Sequence, residues 1–454
     1  MIFQQYFLSC LSQMSYLIGD ETTGRAVVVD PRRDISTYLA DAAAVGLRIE
    51  RVIETHCHAD FLSGHLELAA VGAVISYGSG ARVDFPVELL SDGQCLDLGQ
   101  VRLQIRATPG HTPESISVVV YAHRDDATPY GVLTGDTLFI GDVGRPDLLS
   151  AAGHSSADLA GQLFRSLHDK LLTLPDDTRV FPAHGAGSSC GRSLSTETSS
   201  TIGEQRRHNY ALNLPSEALF VAAVTAGQSP APAYFSFDAQ RNREQRSLLD
   251  ERTPPAPIAF TELAAEEFAG VVVLDTREVQ DFAAAHLRGS INVGLEGRFA
   301  EYAGNVLLPE QRIVVLTPPG RELEAKVRLG RIGFDNVVGF LADPISAFAE
   351  HPDALEHSSR LTATELMLRR NEIADLVVLD VRNPGELADG TIPDALNVPL
   401  ASLLRRVDEL DRDRPTVVYC ASGYRSMIAA SRLLAADFRD VSDLLGGYAA
   451  WAAA

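Results

Sequence analysis

Thr55-His56-Cys57-His58-Ala59-Asp60-Phe61-Leu62-Ser63-Gly64-His65 decides how the first half of the chain is read. Two imidazoles two residues apart, a carboxylate two further on and a third His beside a small-residue turn form a dense group of metal-ligating side chains. Arg51-Val52-Ile53-Glu54 before it reads as a short buried strand, and Leu62 to Ala70 as a helix stopped near Gly72. The cluster therefore belongs on a strand-to-helix loop, where α/β proteins place their sites. A polar loop with histidines for solubility is the competing reading, and the density of donors favours a metal.

At 454 residues the chain exceeds one ordinary core, so two to four domains are expected. A net charge of -21 argues against a nucleic-acid or anionic-membrane partner, since phosphate binding needs a basic face. Nothing approaches eighteen uncharged apolar residues in a row, and Met1-Ile2-Phe3-Gln4-Gln5-Tyr6 lacks a cationic leader, so a cytoplasmic protein is expected. The five cysteines, Cys10, Cys57, Cys95, Cys190 and Cys420, are odd in number and far apart. That suits a reducing compartment with one or two reactive thiols. Cys10, Cys57 and Cys95 read as packing.

Strand, then small-residue loop with His or Asp, is the recurring unit of the first half. Ala26-Val27-Val28-Val29-Asp30-Pro31 is a strand ended by Pro, and Ile35 to Gly46 a helix closed by Gly. Val101 to Ala107 runs into Thr108-Pro109-Gly110-His111, Gly131-Val132-Leu133 into Thr134-Gly135-Asp136, and Val180-Phe181 into Pro182-Ala183-His184-Gly185. Ser117 to Tyr121 is a further strand and Ala157 to Leu172 a helix. Loops at strand ends can converge, which brings ligands distant in sequence to one ion.

The His-x-His-x-Asp motif, His111 after Pro-Gly, Asp136 in Thr-Gly-Asp-Thr-Leu and His184 in Pro-Ala-His-Gly resemble a metallo-β-lactamase-fold domain. Leu138-Phe139-Ile140-Gly141-Asp142-Val143-Gly144-Arg145-Pro146-Asp147 is similar to the persulfide dioxygenases of that superfamily. The resemblance covers about residues 1 to 240. Hydrolases of this fold, glyoxalase II among them, usually carry His directly after the motif's Asp, whereas this chain has Phe61. A dinuclear zinc site would lack a ligand. Two imidazoles and one carboxylate on a single ion leave positions open, the pattern of non-haem Fe(II) oxygenases. The resemblance implies one Fe(II) per chain held by His56, His111 and Asp136, with His58, Asp60 and His184 around them orienting ligands and holding water or substrate. Cys190, in a glycine-rich loop just beyond His184, is either a small buried hydrophobe or a catalytic thiol that holds or receives a persulfide sulfur.

Arg241-Asn242-Arg243-Glu244-Gln245-Arg246 is charged, and Thr253-Pro254-Pro255-Ala256-Pro257 is a stiff linker. After it the chain repeats itself. Val271-Val272-Val273-Leu274-Asp275-Thr276-Arg277 recurs as Leu376-Val377-Val378-Leu379-Asp380-Val381-Arg382, and Arg312-Ile313-Val314-Val315-Leu316 matches Pro415-Thr416-Val417-Val418-Tyr419. In the second copy Cys420-Ala421-Ser422-Gly423-Tyr424-Arg425-Ser426 lies between a buried strand and a helix starting near Ser426. A Cys there faces backbone N–H groups and the positive end of a helix, which favours a thiolate. With Asp380-Val381-Arg382 and Gly446-Gly447-Tyr448-Ala449-Ala450-Trp451 this resembles a rhodanese domain over about residues 360 to 454. The resemblance implies that Cys420 carries sulfur as a persulfide and that Arg425, Ser422 and Gly423 bind substrate, Arg425 also steadying the loop's charge. In the first copy Thr317 stands where the nucleophile should be, and Pro318 and Pro319 remove two backbone donors.

The expected architecture is α/β: a metallo-β-lactamase αββα sandwich over 1–245, a Pro-rich linker over 246–257, an inactive rhodanese-like domain over 258–355 and an active rhodanese domain over 356–454. The expected activity is oxidation of a small-thiol persulfide by O₂ to sulfite, with Cys420 transferring sulfane sulfur and so making or using thiosulfate, in a homo-oligomer (dimer or tetramer). A zinc thioester hydrolase with an accessory sulfur carrier, and a non-catalytic persulfide sensor or relay, are the alternatives.

Overall fold

Strand-period alternation in the first half of the chain builds two sheets that share one core. The computed structural model describes residues 1–150, 153–192, 194–263 and 268–454. Among these, β1 (Ile2–Leu8), β2 (Gln13–Asp20), β3 (Arg25–Val29), β4 (Arg48–Ile53), β5 (Val74–Gly78) and β6 (Glu88–Leu90) lie side by side in chain order. The first three pair antiparallel and the rest parallel. The facing sheet runs β7 (Cys95–Asp97), β8 (Arg102–Ala107), β9 (Ile116–Tyr121), β10 (Gly131–Gly135), β11 (Arg179–Pro182) and β12 (Ser200–Thr201), also in order, and is antiparallel except between β10 and β11.

Period two assigns each residue its layer. Tyr16, Ile18, Val27 and Val29 point between the sheets to meet Leu103, Ile105, Val118 and Val120. Leu17, Val28 and Val52 point the other way, onto Tyr38, Ala42 and Leu66 of the helices Ser36–Ala44 and His65–Ala70. On the far side Val119, Val132 and Val180 pack on Leu163 and Ile202, from helices Ser156–Arg165 and Ile202–His208. Strands covered on both faces read as continuous apolar runs, as these do, and each fully buried Val or Leu contributes about 1.5–3 kcal/mol. The αββα sandwich is as expected. The helix after the metal loop begins at His65 rather than Leu62, and the one from Ser156 finishes as a π-helical turn, Ser166–Leu171.

This first compact unit comprises Met1–Gln228 and Phe235–Leu249; the second comprises Ser229–Tyr234 and Asp250–Ala454. Residues 246–249, expected as the start of the linker, fall within the first unit. Arg246 belongs to the first unit because its guanidinium and that of Arg33, both buried, converge on buried Glu67 at 2.8 and 3.0 Å.

The second unit holds two five-stranded sheets, each parallel throughout. One has β13 (Pro257–Ile258), β14 (Val272–Asp275), β16 (Ile291–Asn292), β17 (Ile313–Leu316) and β18 (Val337–Leu341), in the order β13-β18-β17-β14-β16. Its connections include β15 (His286–Leu287), which pairs with β19 (Leu355–Glu356). The other has β20 (Ser359–Leu361), β21 (Val377–Asp380), β22 (Leu396–Asn397), β23 (Thr416–Tyr419) and β24 (Val441–Leu444), in the order β20-β24-β23-β21-β22. The two orders are the same. Side chains repeat too: Arg277 caps Asp275 as Arg382 caps Asp380, and Asn292 donates to the carbonyls of residues 275 and 277 as Asn397 does to those of 380 and 382. No helix among the described residues is long and apolar enough to cross a membrane.

Candidate functional site

Strand direction brings the candidate metal-ligating residues together. β10 and β11 are parallel, and β8 shares their direction because two antiparallel steps separate it from β10. Their C-terminal ends therefore carry His111, Asp136 and His184 to one edge. The loop after β4 reaches the same edge, tied there by the Ile116 N–H donating to the Thr55 carbonyl at 2.8 Å. Two glycines make room. Gly135 has φ +52°, and a Cβ there would lie 2.6 Å from Thr55 Oγ1; a Cβ on Gly144 would lie 1.9 Å from the Asp136 carbonyl oxygen.

His56, His111 and Asp136 are buried, and one ligand atom from each falls within 4.8 Å of the others. Asp136 Oδ2 is 3.9 Å from His56 Nε2 and 3.5 Å from His111 Nε2. Donors that share one ion at about 2.1 Å stand roughly 3–4 Å apart, so the spacing fits a cation. His56 Nε2 and Asp136 Oδ2 are buried with no hydrogen-bond partner, a costly arrangement that a bound cation relieves. Protonation states agree. Burial, reinforced by His58, pushes His56 well below the usual imidazole value; burial would raise Asp136, but His184 and His56 hold its carboxyl well below the usual range. His111 Nδ1 donates to the Arg145 carbonyl at 2.8 Å, which leaves Nε2 as the free lone pair. Arg145 is fixed by a bidentate pair to Asp147 at 2.7 Å.

His184 lies between two carboxylates, with Nδ1 2.8 Å from Asp136 Oδ1 and Nε2 2.8 Å from Asp60 Oδ2. Burial opposes its protonation, but Asp136 and Asp60 raise it to about 10. Both of its nitrogens are thus engaged by carboxylates, one of them Asp136. Cys190 is buried beside the same pair, its sulfur grouped with Asp60 and His184. Burial, then Asp60 and Asp136, push its thiol well above the usual value. The expected reactive thiol is thus near the metal group but held protonated.

His58 faces the other way. Its Nε2 is 3.0 Å from Asp30 Oδ1 and 3.3 Å from Glu54 Oε2, and those two carboxylates raise it well above the usual value against burial. Asp30 also accepts from the Thr55 N–H and hydroxyl at 2.7 and 2.8 Å, so this buried cluster holds the metal loop in place. His65, read from the sequence as part of the ligand group, is not in it. As the first residue of its helix it turns to Glu54, 3.5 Å away, and stacks near Phe85. Phe61 is buried with its ring 4.4 Å from that of His58. Asp30 and Glu54 went unread, although Val-Val-Val-Asp at a strand end is the same signal as Thr-Gly-Asp. Cys57 is buried as expected, but Cys95 is exposed on β7.

Cys420 follows β23 directly and is buried. The Gly423 N–H donates to its sulfur at 3.1 Å, and Gly423, at φ +101°, caps the eleven-residue helix Tyr424–Leu434. The Tyr448 N–H donates to the Cys420 carbonyl at 2.7 Å. A Cβ on Gly447 would stand 2.4 Å from that carbonyl oxygen, so glycine is required there. Ser422 is exposed at the loop's tip. Arg425 gives both its ion-pair bonds to Glu386, at 2.6 and 2.8 Å, a partner the sequence reading missed. In the other sheet Thr317 follows β17 directly at the equivalent place, buried and followed by Pro318 and Pro319.

Residues 8–184 match the metallo-beta-lactamase superfamily and residues 362–454 the rhodanese-like domain. The chain is 32% identical over 249 residues to persulfide dioxygenase ETHE1, mitochondrial, of Bos taurus, an alignment covering 53% of this chain and 86% of that one. The chain belongs to the persulfide dioxygenase family. Its C-terminal part is 37% identical over 94 residues to a sulfurtransferase of Allochromatium vinosum, covering 21% of this chain and 88% of the relative. A crystal structure of a metallo-beta-lactamase from Staphylococcus aureus superposes with TM-score 0.67 at 31% identity, covering 75% of this chain and 98% of that one. A persulfide dioxygenase-family unit with a rhodanese-like domain at its C-terminal end is an enzyme of sulfur metabolism, and its fold implies a metal.

Proposed function

We propose that the chain oxidises a small-thiol persulfide with O₂ and transfers sulfane sulfur through Cys420. The observation that carries this is the convergence of His56, His111 and Asp136 with His56 Nε2 and Asp136 Oδ2 buried and unpartnered, beside Phe61 where the hydrolases have a further His. Two imidazoles and one carboxylate suit a single Fe(II), which when bound supplies O₂ activation. In balance, persulfide, O₂ and water give thiol, sulfite and two protons. The protein's part is positional: the Arg145 carbonyl fixes the His111 tautomer, His184 orients Asp136, and the Asp30–Glu54–His58 cluster holds the loop.

Cys420 is the sulfur carrier in this reading, because its sulfur accepts the Gly423 N–H at the positive end of a helix. Its persulfide gives the outer sulfur to sulfite, forming thiosulfate and returning the thiolate, and the reverse step loads it. Cys190 is buried beside Asp60 and His184, where burial and the carboxylates of Asp60 and Asp136 raise its thiol well above the usual value, so the sulfur carrier of this reading is Cys420. The sheet around Thr317 is a rhodanese-like copy without a nucleophile, and 258–355 and 356–454 are the two copies. Supplying glutathione persulfide to the protein under air tests the reading. O₂ uptake with sulfite and thiosulfate as products supports it; no uptake, with hydrolysis of a glutathione thioester instead, contradicts it.

A further inference from the structure

The copy that lacks a nucleophile is built against the Cys420 loop. Tyr424, four residues after Cys420, donates its hydroxyl to the Gly294 carbonyl at 3.0 Å. The Asn292 N–H donates to Ser431 Oγ at 3.0 Å, and Val279 and Phe282 pack on Met427 of the helix that follows the loop. From helix Phe299–Val306 of the same copy, the ring of Tyr302 meets that of Tyr424 with centroids 5.5 Å apart. Tyr302 is half-buried, and its hydroxyl has no hydrogen-bond partner among the described residues. Burial raises that hydroxyl above the usual phenol value, and Arg298, Glu301, Arg425 and Cys420 are the charged groups around it. The guanidinium groups at hand are committed: Arg425 to Glu386, and Arg298 to Glu301.

We propose that Tyr302 is a recognition residue of the Cys420 site, its hydroxyl donating to the sulfonate oxygens of thiosulfate or sulfite. This rests on Cys420 being the sulfur carrier. In loading, the Cys420 thiolate attacks the outer sulfur of thiosulfate, a new S–S bond forms, and the old one breaks with its electron pair leaving on sulfite. Charge is conserved, from thiolate and thiosulfate dianion to persulfide anion and sulfite dianion. The loop N–H groups serve the transferred sulfur, so the sulfonate needs a donor from outside the loop. Tyr302 offers an uncommitted one.

Tyr302→Phe keeps the ring on Tyr424 and removes the hydroxyl. With thiosulfate as donor and cyanide as acceptor, kcat/KM should fall roughly 10- to 100-fold, the worth of one hydrogen bond to an anion, mainly through the KM for thiosulfate. With glutathione persulfide as donor, which has no sulfonate, transfer to cyanide should stay at the wild-type rate. Thermal midpoint and the rate of Cys420 alkylation by iodoacetamide should also be unchanged. Wild-type kinetics with thiosulfate, an equal loss with both donors, or a loss accompanied by a lowered midpoint would overturn the proposal. Cys420→Ser, assayed alongside, separates the two levels: transfer surviving in that variant removes the carrier reading itself.

Discussion

His111 Nδ1 lies 2.8 Å from the backbone carbonyl of Arg145, thirty-four residues on, so the chain that follows Asp136 returns to set the tautomer of a second candidate ligand. The turn depends on Gly144, whose neighbour is the carbonyl of Asp136 itself.

Gly144→Ala should therefore displace Asp136 or the Arg145 carbonyl, since no backbone atom can be approached at 1.9 Å. The expected outcome is a loss of bound metal by more than half with an unchanged far-UV spectrum, measured by elemental analysis of the purified variant. Full metal content would show that the turn does not govern the ligands.

Glu67 is a common counter-ion of buried Arg33 and Arg246, so Glu67→Ala should destabilise the first unit by about 3–5 kcal/mol, because two buried guanidinium groups lose a shared carboxylate. Burial opposes it, but Arg246 and Arg33 hold the Glu67 carboxyl below its unfolded value. Its contribution is present above about pH 5 and is lost as pH falls through the folded value. Thermal unfolding at neutral and acid pH should show the gap between wild type and Glu67→Gln narrowing as pH falls.

Thr317→Ala should leave sulfur transfer and O₂ uptake at wild-type levels. Two prolines follow the hydroxyl, and the loop beyond it cannot present the N–H groups that Gly423 represents in the other copy. Steady-state rates of both activities check this, and a fall in turnover at unchanged stability would contradict it.

Cys420→Ser should abolish thiosulfate formation while persulfide oxidation continues, with sulfite accumulating instead. Serine keeps the size of the loop, but its hydroxyl stays protonated near neutral pH. Parallel loss of O₂ uptake would make Cys420 an obligatory carrier to the metal. Cys190→Ser would then distinguish a relay through both cysteines from direct delivery.

The layers, and the grouping of His56, His111 and Asp136, were legible where a strand and the loop after it carry the signal. Val27–Val29 and Val118–Val120 announce strands covered on both faces, and His56, His111 and Asp136 each lie just beyond the end of a strand, so the topology groups them. The direction of a side chain was not legible. His65 looks like a ligand by spacing, but the start of its helix aims it at Glu54. Pairings across long separations were also hidden: Glu386 with Arg425, Arg246 with Glu67, and Tyr424 with Gly294 each depend on how distant segments pack. Exposure of Cys95 follows from the place of β7 at the edge of its sheet, which no local pattern encodes.

In the proposed function a single iron ion on His56, His111 and Asp136 turns over persulfide. Elemental analysis of the purified chain, combined with persulfide-dependent O₂ uptake on the same sample and on His111→Ala, tests it most directly. One iron per chain with uptake that disappears in the variant is the predicted result. Two zinc ions per chain, thioester hydrolysis and no O₂ uptake would contradict it.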